Sequence, residues 1–225
     1  MRCRMAVRRS AISAAISGTR SVMTGGWYDA GRALARASAR VAQASPGPLP
    51  PLIVLTDPRR YPDVEAFAES IPSGAVLIHR HFGRPEAARE SLALRRIADR
   101  KELILLIAAD PALALQCGAD GVHWPERLLR QARTRHPAGL ILTASAHSRG
   151  AAERAARLGA DGVLLSPVFP TQSPGAGQPI GIWQAGAIAR SVAAPVYALG
   201  GVTPSRAVRL AGLGFSGIAA VSAAQ

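Results

Sequence analysis

The chain has 225 residues, 48% of them apolar and 4% aromatic, which suits one domain with an aliphatic core and a tail. The formal charge is +13, unevenly spread: residues 1–45 hold eight Arg against Asp29 alone (+7), and residues 46–225 hold 19 basic against 13 acidic side chains (+6). Two cysteines, Cys3 and Cys117, give neither a disulfide framework nor a CxxC site, and no run of about 18 apolar residues marks a membrane span.

Lys101 is the sole lysine, so an Arg-rich coding bias accounts for the charge better than nucleic-acid binding does. The expectation is a cytoplasmic protein with no nucleic-acid and no membrane partner. Residues 1–26 are rich in Arg, Ser and Ala and nearly free of acids. They read as a disordered basic tail: either a transit peptide or the result of a start codon set too early, with the second favoured.

Residues 27–45 form an N-terminal helical segment, with Leu34, Ala37 and Val41 along one face. A proline-rich linker at 45–51 ends it. Strands are expected at 51–56, 75–78, 103–107, 121–123, 140–144, 162–165, 195–199 and 218–221. Most are continuous apolar runs, as strands buried on both faces are. Helices are expected at 64–70, 85–99, 126–135 and 183–191. Asp110-Pro111 opens another, as N-cap and N1 proline, and Ser148 caps one that ends before Gly159. Gly200-Gly201-Val202-Thr203-Pro204 leads into the last. The chain then stops at Gln225, so an eighth helix is absent or truncated.

One cassette recurs: Gly118-Ala119-Asp120-Gly121-Val122, Gly159-Ala160-Asp161-Gly162-Val163 and Gly214-Phe215-Ser216-Gly217-Ile218. Each is a glycine stop after a helix, then an apolar strand. Room for one further βα unit between successive cassettes gives an α/β fold: a single (β/α)₈ TIM barrel over residues 52–225. Such barrels carry their chemistry at the strand C-termini. The gap left by the missing eighth helix is covered by residues 27–43 or by a second subunit, which leaves a homodimer open.

Four segments there carry candidate chemistry. Gly200-Gly201 ends the seventh strand and Val221-Ser222 the eighth; backbone amides at these two positions form the usual phosphate site of the fold. Ser145-Ala146-His147-Ser148 ends the fifth, with a histidine suited to proton transfer. Arg80, after the second strand, is placed to clamp an anion. The long loop at 166–181 offers the hydroxyls of Thr171 and Ser173 to a substrate. His123 ends the fourth strand beside Trp124-Pro125, which favours a packing role. No metal-spaced histidine pair, Walker loop, GxGxxG or GxSxG is present.

Leu55-Thr56-Asp57, Gly118-Ala119-Asp120-Gly121-Val122-His123, Ser145-Ala146-His147-Ser148, Ser166-Pro167-Val168-Phe169-Pro170-Thr171-Gln172-Ser173 and Gly200-Gly201-Val202-Thr203-Pro204 together resemble the family of thiamine phosphate synthase and its relative TenI. The resemblance spans residues 52–222. It implies a thiazole phosphate on Gly200, Gly201 and Ser222, with Thr171 and Ser173 near the thiazole and the leaving group. Arg80 matches the family arginine after the second strand. The synthase couples the thiazole to a pyrimidine pyrophosphate with Mg²⁺.

Here the pattern departs. The Gln and Lys flanking that arginine are Ile78 and Phe82, Asn-Asp after the third strand is Ala108-Ala109, and the magnesium Asp after the fourth has no counterpart in Pro125-Glu126-Arg127-Leu128. Pro174 stands at an expected lysine. Their loss removes several contacts, each on the scale of about 3 kcal/mol, from the departing pyrophosphate. Mg²⁺ is therefore expected only if synthase activity is retained. In TenI, which tautomerises the thiazole phosphate, the histidine matching His147 is the proton shuttle. Three readings follow: a thiamine-biosynthesis enzyme acting as synthase or as tautomerase through His147, a non-catalytic phosphate-binding barrel, and an RNA-associated protein working through residues 1–45.

Overall fold

The computed structural model describes residues 25–173 and 177–221. Nearly all of the basic tail, together with Pro174 and Ser222, lies outside these. Helix α1 (Gly25–Ala42) precedes a repeating series: β1 (Leu52–Leu55), α2 (Val64–Ser70), β2 (Val76–His79), α3 (Ala87–Lys101), β3 (Ile104–Ala108) and α4 (Pro111–Gln116). It continues with β4 (Gly121–Trp124), α5 (Leu129–Arg135), β5 (Ile141–Ala146), α6 (Arg149–Arg157), β6 (Gly162–Leu165), α7 (Ile182–Ser191), β7 (Val196–Ala198), α8 (Pro204–Ala207) and β8 (Gly217–Ala220). Each strand pairs in parallel with the next, and β8 pairs with β1, Ile53 opposite Ala219, so the barrel is closed.

Period-two alternation divides the strand residues between two cores. Ile53, Leu55, Val76, Ile78, Leu106, Leu164, Tyr197 and Ala219 form one cluster inside the barrel. Leu52, Val54, Leu77, Leu105, Ile107, Val163, Leu165 and Ile218 join the layer between strands and helices. Leu49 closes the floor, its carbonyl accepting the Tyr197 hydroxyl at 3.1 Å. Burial pushes that phenol well above its ordinary pKa.

The recurring cassette ties each new strand to its predecessor. Asp120 Oδ2 accepts the Leu105 amide at 2.8 Å, and Asp161 Oδ2 accepts the Leu142 amide at 2.9 Å. The backbone amides of Asp120 and Asp161 return bonds to the carbonyls of the same two residues. The third cassette has Ser216 there and keeps the backbone bond, to Val196 O.

Helix α1 packs on α8, β8 and β1, with Leu34, Ala37 and Val41 buried. It fills the place where a helix after β8 would lie. Asp110, Ser148 and Thr203 cap α4, α6 and α8 through their side-chain oxygens. Several expected bounds move by a residue or two: the helix expected at 85–99 is Ala87–Lys101, and the strand expected at 195–199 is Val196–Ala198. β5 runs on to Ala146, because Ser145 and Ala146 pair with Leu164 and Leu165. The helix expected at 126–135 begins as a 3₁₀ turn over Glu126–Leu128. Among the described residues no helix is long and apolar enough to cross a membrane.

Candidate functional site

The strand alternation that fills the barrel also selects what reaches its open end. On β2 the inward parity of Val76 and Ile78 continues to Arg80, and on β5 that of Thr143 leads to Ser145 and His147. A cavity of about 1540 Å³ opens at this mouth. Arg80, Ser145, His147, Thr171, Ser173, Gly200, Gly201 and Val221 all line it, so the structure gathers every described residue singled out in the sequence into one space. Ser222 lies outside the described residues.

The glycine pair is shaped from both sides. Gly200 and Gly201 take φ of +90° and +63°, a region that β-carbons disfavour. The 166–173 segment also lies against them: a Cβ on Gly200 would sit 2.8 Å from Pro167 Cα, and one on Gly201 2.3 Å from Pro170 O. The segment is held there by Val168 N–H to Leu199 O and Phe169 N–H to Gly200 O, at 2.9 and 3.0 Å. Among the described residues the amides of Gly200 and Gly201 have no acceptor. Arg206 from α8 donates to Gly201 O at 2.8 Å and brings a guanidinium to the same corner. These are the parts of an anion site made from backbone.

Across the mouth, His147 Nδ1 lies 2.8 Å from Glu126 Oε2, which also accepts the His147 amide at 2.9 Å. Arg154 holds the other carboxylate oxygen at 3.2 Å. An Nδ1–H donated to Glu126 leaves the Nε2 lone pair free. The imidazole is half-exposed. Ser145 Oγ lies 2.9 Å from His123 Nε2, and His123 Nδ1 lies 2.9 Å from Thr143 Oγ1. Burial, with the charge of Arg80, lowers the His123 pKa to about 3, so the ring is neutral. His123 is both packed and polar: it fixes Ser145 from inside the barrel, while its neighbour Trp124 packs outward.

Arg80 is held by Thr56, whose carbonyl accepts Nε at 2.6 Å and whose Oγ1 accepts the Arg80 amide at 2.8 Å. Its Nη2 lies 3.5 Å from Asp57. Thr171 and Ser173 form a local hydroxyl turn, and Arg60 Nη2 donates to Ser173 Oγ at 3.2 Å. Phe82 and Ala109, at the ends of β2 and β3, take φ of +51° and +61°, uncommon outside glycine, and both line the mouth. His79 falls on the opposite parity to Arg80. It is buried against α3 with Glu90 Oε2 3.6 Å away, and desolvation lowers its pKa to about 4.

Three arginines of the lining went unmarked in the sequence, Arg60, Arg127 and Arg206; in so Arg-rich a chain none carries a local signal. The donor set does not suit a divalent cation. Among the described residues no Asp or Glu lines the cavity, and no cluster of three His, Cys, Asp or Glu exists. The nearby acids are committed elsewhere: Asp57 to Arg60 and Arg80, Asp110 to the start of α4, and Glu126 to His147 and Arg154. Magnesium carried on carboxylates does not fit these residues.

Residues 52–224 match the family described as thiamine monophosphate synthase. A putative thiamine-phosphate synthase of Geobacter sulfurreducens is 39% identical over 134 residues, 58% of this chain and 63% of that protein, so the match spans under two thirds of that relative. The putative thiamine-phosphate synthase 2 of Aquifex aeolicus is 32% identical over 69% of this chain and 87% of its own length. The solved thiamine phosphate pyrophosphorylase from Pyrococcus furiosus superposes with a TM-score of 0.62 at 27% identity, covering 81% of this chain and 87% of that one.

Proposed function

The chain belongs to the thiamine monophosphate synthase family, and we propose that its barrel mouth binds a thiazole phosphate and moves a proton on it through His147. The observation that carries this reading is the pairing of His147 with Glu126 in the same cavity as two glycine amides without acceptors. The phosphate monoester accepts from Gly200 and Gly201, beside Arg206. Val221 closes the corner from β8. Thr171 and Ser145 offer hydroxyls to the ring.

His147 Nε2 then takes a proton from one carbon of the heterocycle and returns it to another, which shifts the double bond and changes no composition. Glu126 holds the tautomer and stabilises the imidazolium that forms between the two transfers. The half-exposed ring is an asset for a shuttle, since its proton exchanges with solvent.

The test is calorimetry with the thiazole phosphate, set beside deuterium incorporation from D₂O into that ligand followed by NMR. The wild type is expected to bind and exchange. His147→Gln is expected to bind within a few-fold and to lose exchange by a factor of at least a hundred. Exchange that survives the substitution refutes the role of His147. Binding without exchange in the wild type leaves a non-catalytic barrel.

A second reading is coupling to the pyrimidine pyrophosphate, favoured by the name of the Geobacter relative. Thiamine phosphate formed from both synthase substrates and Mg²⁺ would establish it against the donor set described above.

A further inference from the structure

The positive charge of the barrel is gathered on one side of it. Residues 46–125 hold nine basic against ten acidic side chains, whereas residues 126–157 hold seven Arg against Glu126 and Glu153 (+5). That stretch covers the 3₁₀ turn, α5, β5 and α6, and all seven arginines are exposed. Leu129 and Ala132 of α5, and Ala151, Ala152 and Ala155 of α6, are the buried residues, so the arginines stand on the sides turned away from the barrel. The two helices follow paired strands, and Arg154 of α6 reaches Glu126, in the turn that opens α5, at 3.2 Å. Arg135 donates to Gln131 within α5. Arg127, Arg130, Arg133, Arg149 and Arg157 make no hydrogen bond or ion pair to another described residue. An Arg-rich coding bias raises the number of arginines along the whole chain. It does not remove the acids from two consecutive helices while leaving them in balance elsewhere.

We infer that the outer face of α5 and α6 is a docking surface for the phosphate backbone of a nucleic-acid duplex, bound without regard to sequence. The chemistry of the face selects this partner. The exposed large apolar side chains of the described residues, Phe82, Leu92, Leu115, Trp183 and Val208, all lie on other elements. Single strands are held by aromatic side chains that stack on bases, membrane surfaces by an apolar helix face, and protein partners by buried anchors. A duplex needs none of these, because its outermost layer is phosphate. Guanidinium forks match phosphate oxygens in pairs. Arg130 and Arg133, three residues apart on a helix, have β-carbons about 5–6 Å from one another. Arg149 and Arg157 are about 12 Å apart along α6. Such spacings span phosphates on either side of a minor groove about 6 Å wide. Total charge gives no reason to expect a nucleic-acid partner; the placement of that charge does. The face lies on the outside of the barrel, so the inference holds whatever ligand the mouth takes.

The probe is a fluorescently labelled duplex of about 20 base pairs and arbitrary sequence, made once as DNA and once as RNA. It is titrated with the full chain and read by anisotropy between about 50 and 200 mM salt. Binding of either duplex is expected, with an affinity that falls as salt rises. Arg130→Gln with Arg133→Gln, and Arg149→Gln with Arg157→Gln, each remove two phosphate contacts. Each pair is expected to weaken binding about tenfold and to flatten the slope of log affinity against log salt by about two. Arg59→Gln with Arg96→Gln, two exposed arginines outside 126–157, remove the same charge and are expected to leave both readings unaltered. The basic segment at 1–26 is intact in all three, so equal losses in all three pairs, or in none, overturn the inference. A single strand bound more tightly than the duplex overturns it as well. So does competition by polyglutamate as strong as that by unlabelled duplex at equal charge, which would mark an acidic polypeptide as the partner.

Discussion

Gly201→Ala separates a phosphate-binding turn from a merely tight one. The substitution puts a β-carbon on a residue at φ +63°, which costs about 1–2 kcal/mol for an L residue in the left-handed region. The new carbon would start 2.3 Å from Pro170 O and 3.0 Å from Phe169 Cβ, so the segment after β6 has to retreat. Its anchor, Phe169 N–H to Gly200 O at 3.0 Å, moves with it. Both effects turn the peptide planes of the two amides proposed to hold the phosphate. Losing one charge-assisted hydrogen bond removes about 1.5–3 kcal/mol, which weakens thiazole phosphate binding roughly ten- to hundredfold. The folded state should lose a further 1–3 kcal/mol or so to strain, readable as a lower urea midpoint. Calorimetry on the folded variant is the deciding assay. A variant that loses stability and keeps full affinity would show that the glycines serve the packing of the 166–173 segment and nothing more.

Acid stability follows from two buried histidines. His79 and His123 have folded-state pKa values lowered to about 4 and about 3, so the folded state leaves them neutral while the unfolded chain protonates them near 6.5. Stability is full above about pH 6.5 and falls as pH drops towards 4, each histidine adding a slope of about 1.4 kcal/mol per pH unit. Urea midpoints across that window should fall steeply, and His123→Gln should about halve the slope; a flat profile contradicts the buried neutral assignment. Asp161→Ala leaves the Leu142 amide without its acceptor between β5 and β6 and is expected to cost about 1–3 kcal/mol in chemical denaturation, with the mouth chemistry unaltered.

The barrel was legible because its signal is local. Apolar runs give the strands, and the cassette gives the joints, whose Asp120 and Asp161 do the same work two strands apart. The mouth residues were legible where they end a strand, since inward parity at Ile78 dictates inward parity at Arg80. His123 shows how parity can be missed. Its neighbour Trp124 argues for packing, and packs; His123 itself, one residue out of phase, faces the barrel interior. The partners of these residues were not legible. Glu126 meets His147 because β4 and β5 pair in the register Trp124 opposite Ala144, which no spacing in the chain reveals. Arg206 reaches Gly201 O by folding one turn of helix back over its own approach loop.

The two sides of the mouth are built from different material, and that difference explains why one matches the family pattern and the other departs from it. The glycine turn presents peptide groups, whose placement is enforced by the steric contact of Gly200 and Gly201 with Pro167 and Pro170. A side chain added at either glycine disturbs the packing of the 166–173 segment as well as the two amides. The ends of β1, β2 and β4 present side chains instead: Arg60, Arg80 and Arg127 line the mouth from the segments that follow these strands. There one device for holding a polyanion can replace another with the barrel unchanged. Carboxylates with a metal and bare guanidinium groups both present positive charge to a phosphate, but the second carries its charge permanently.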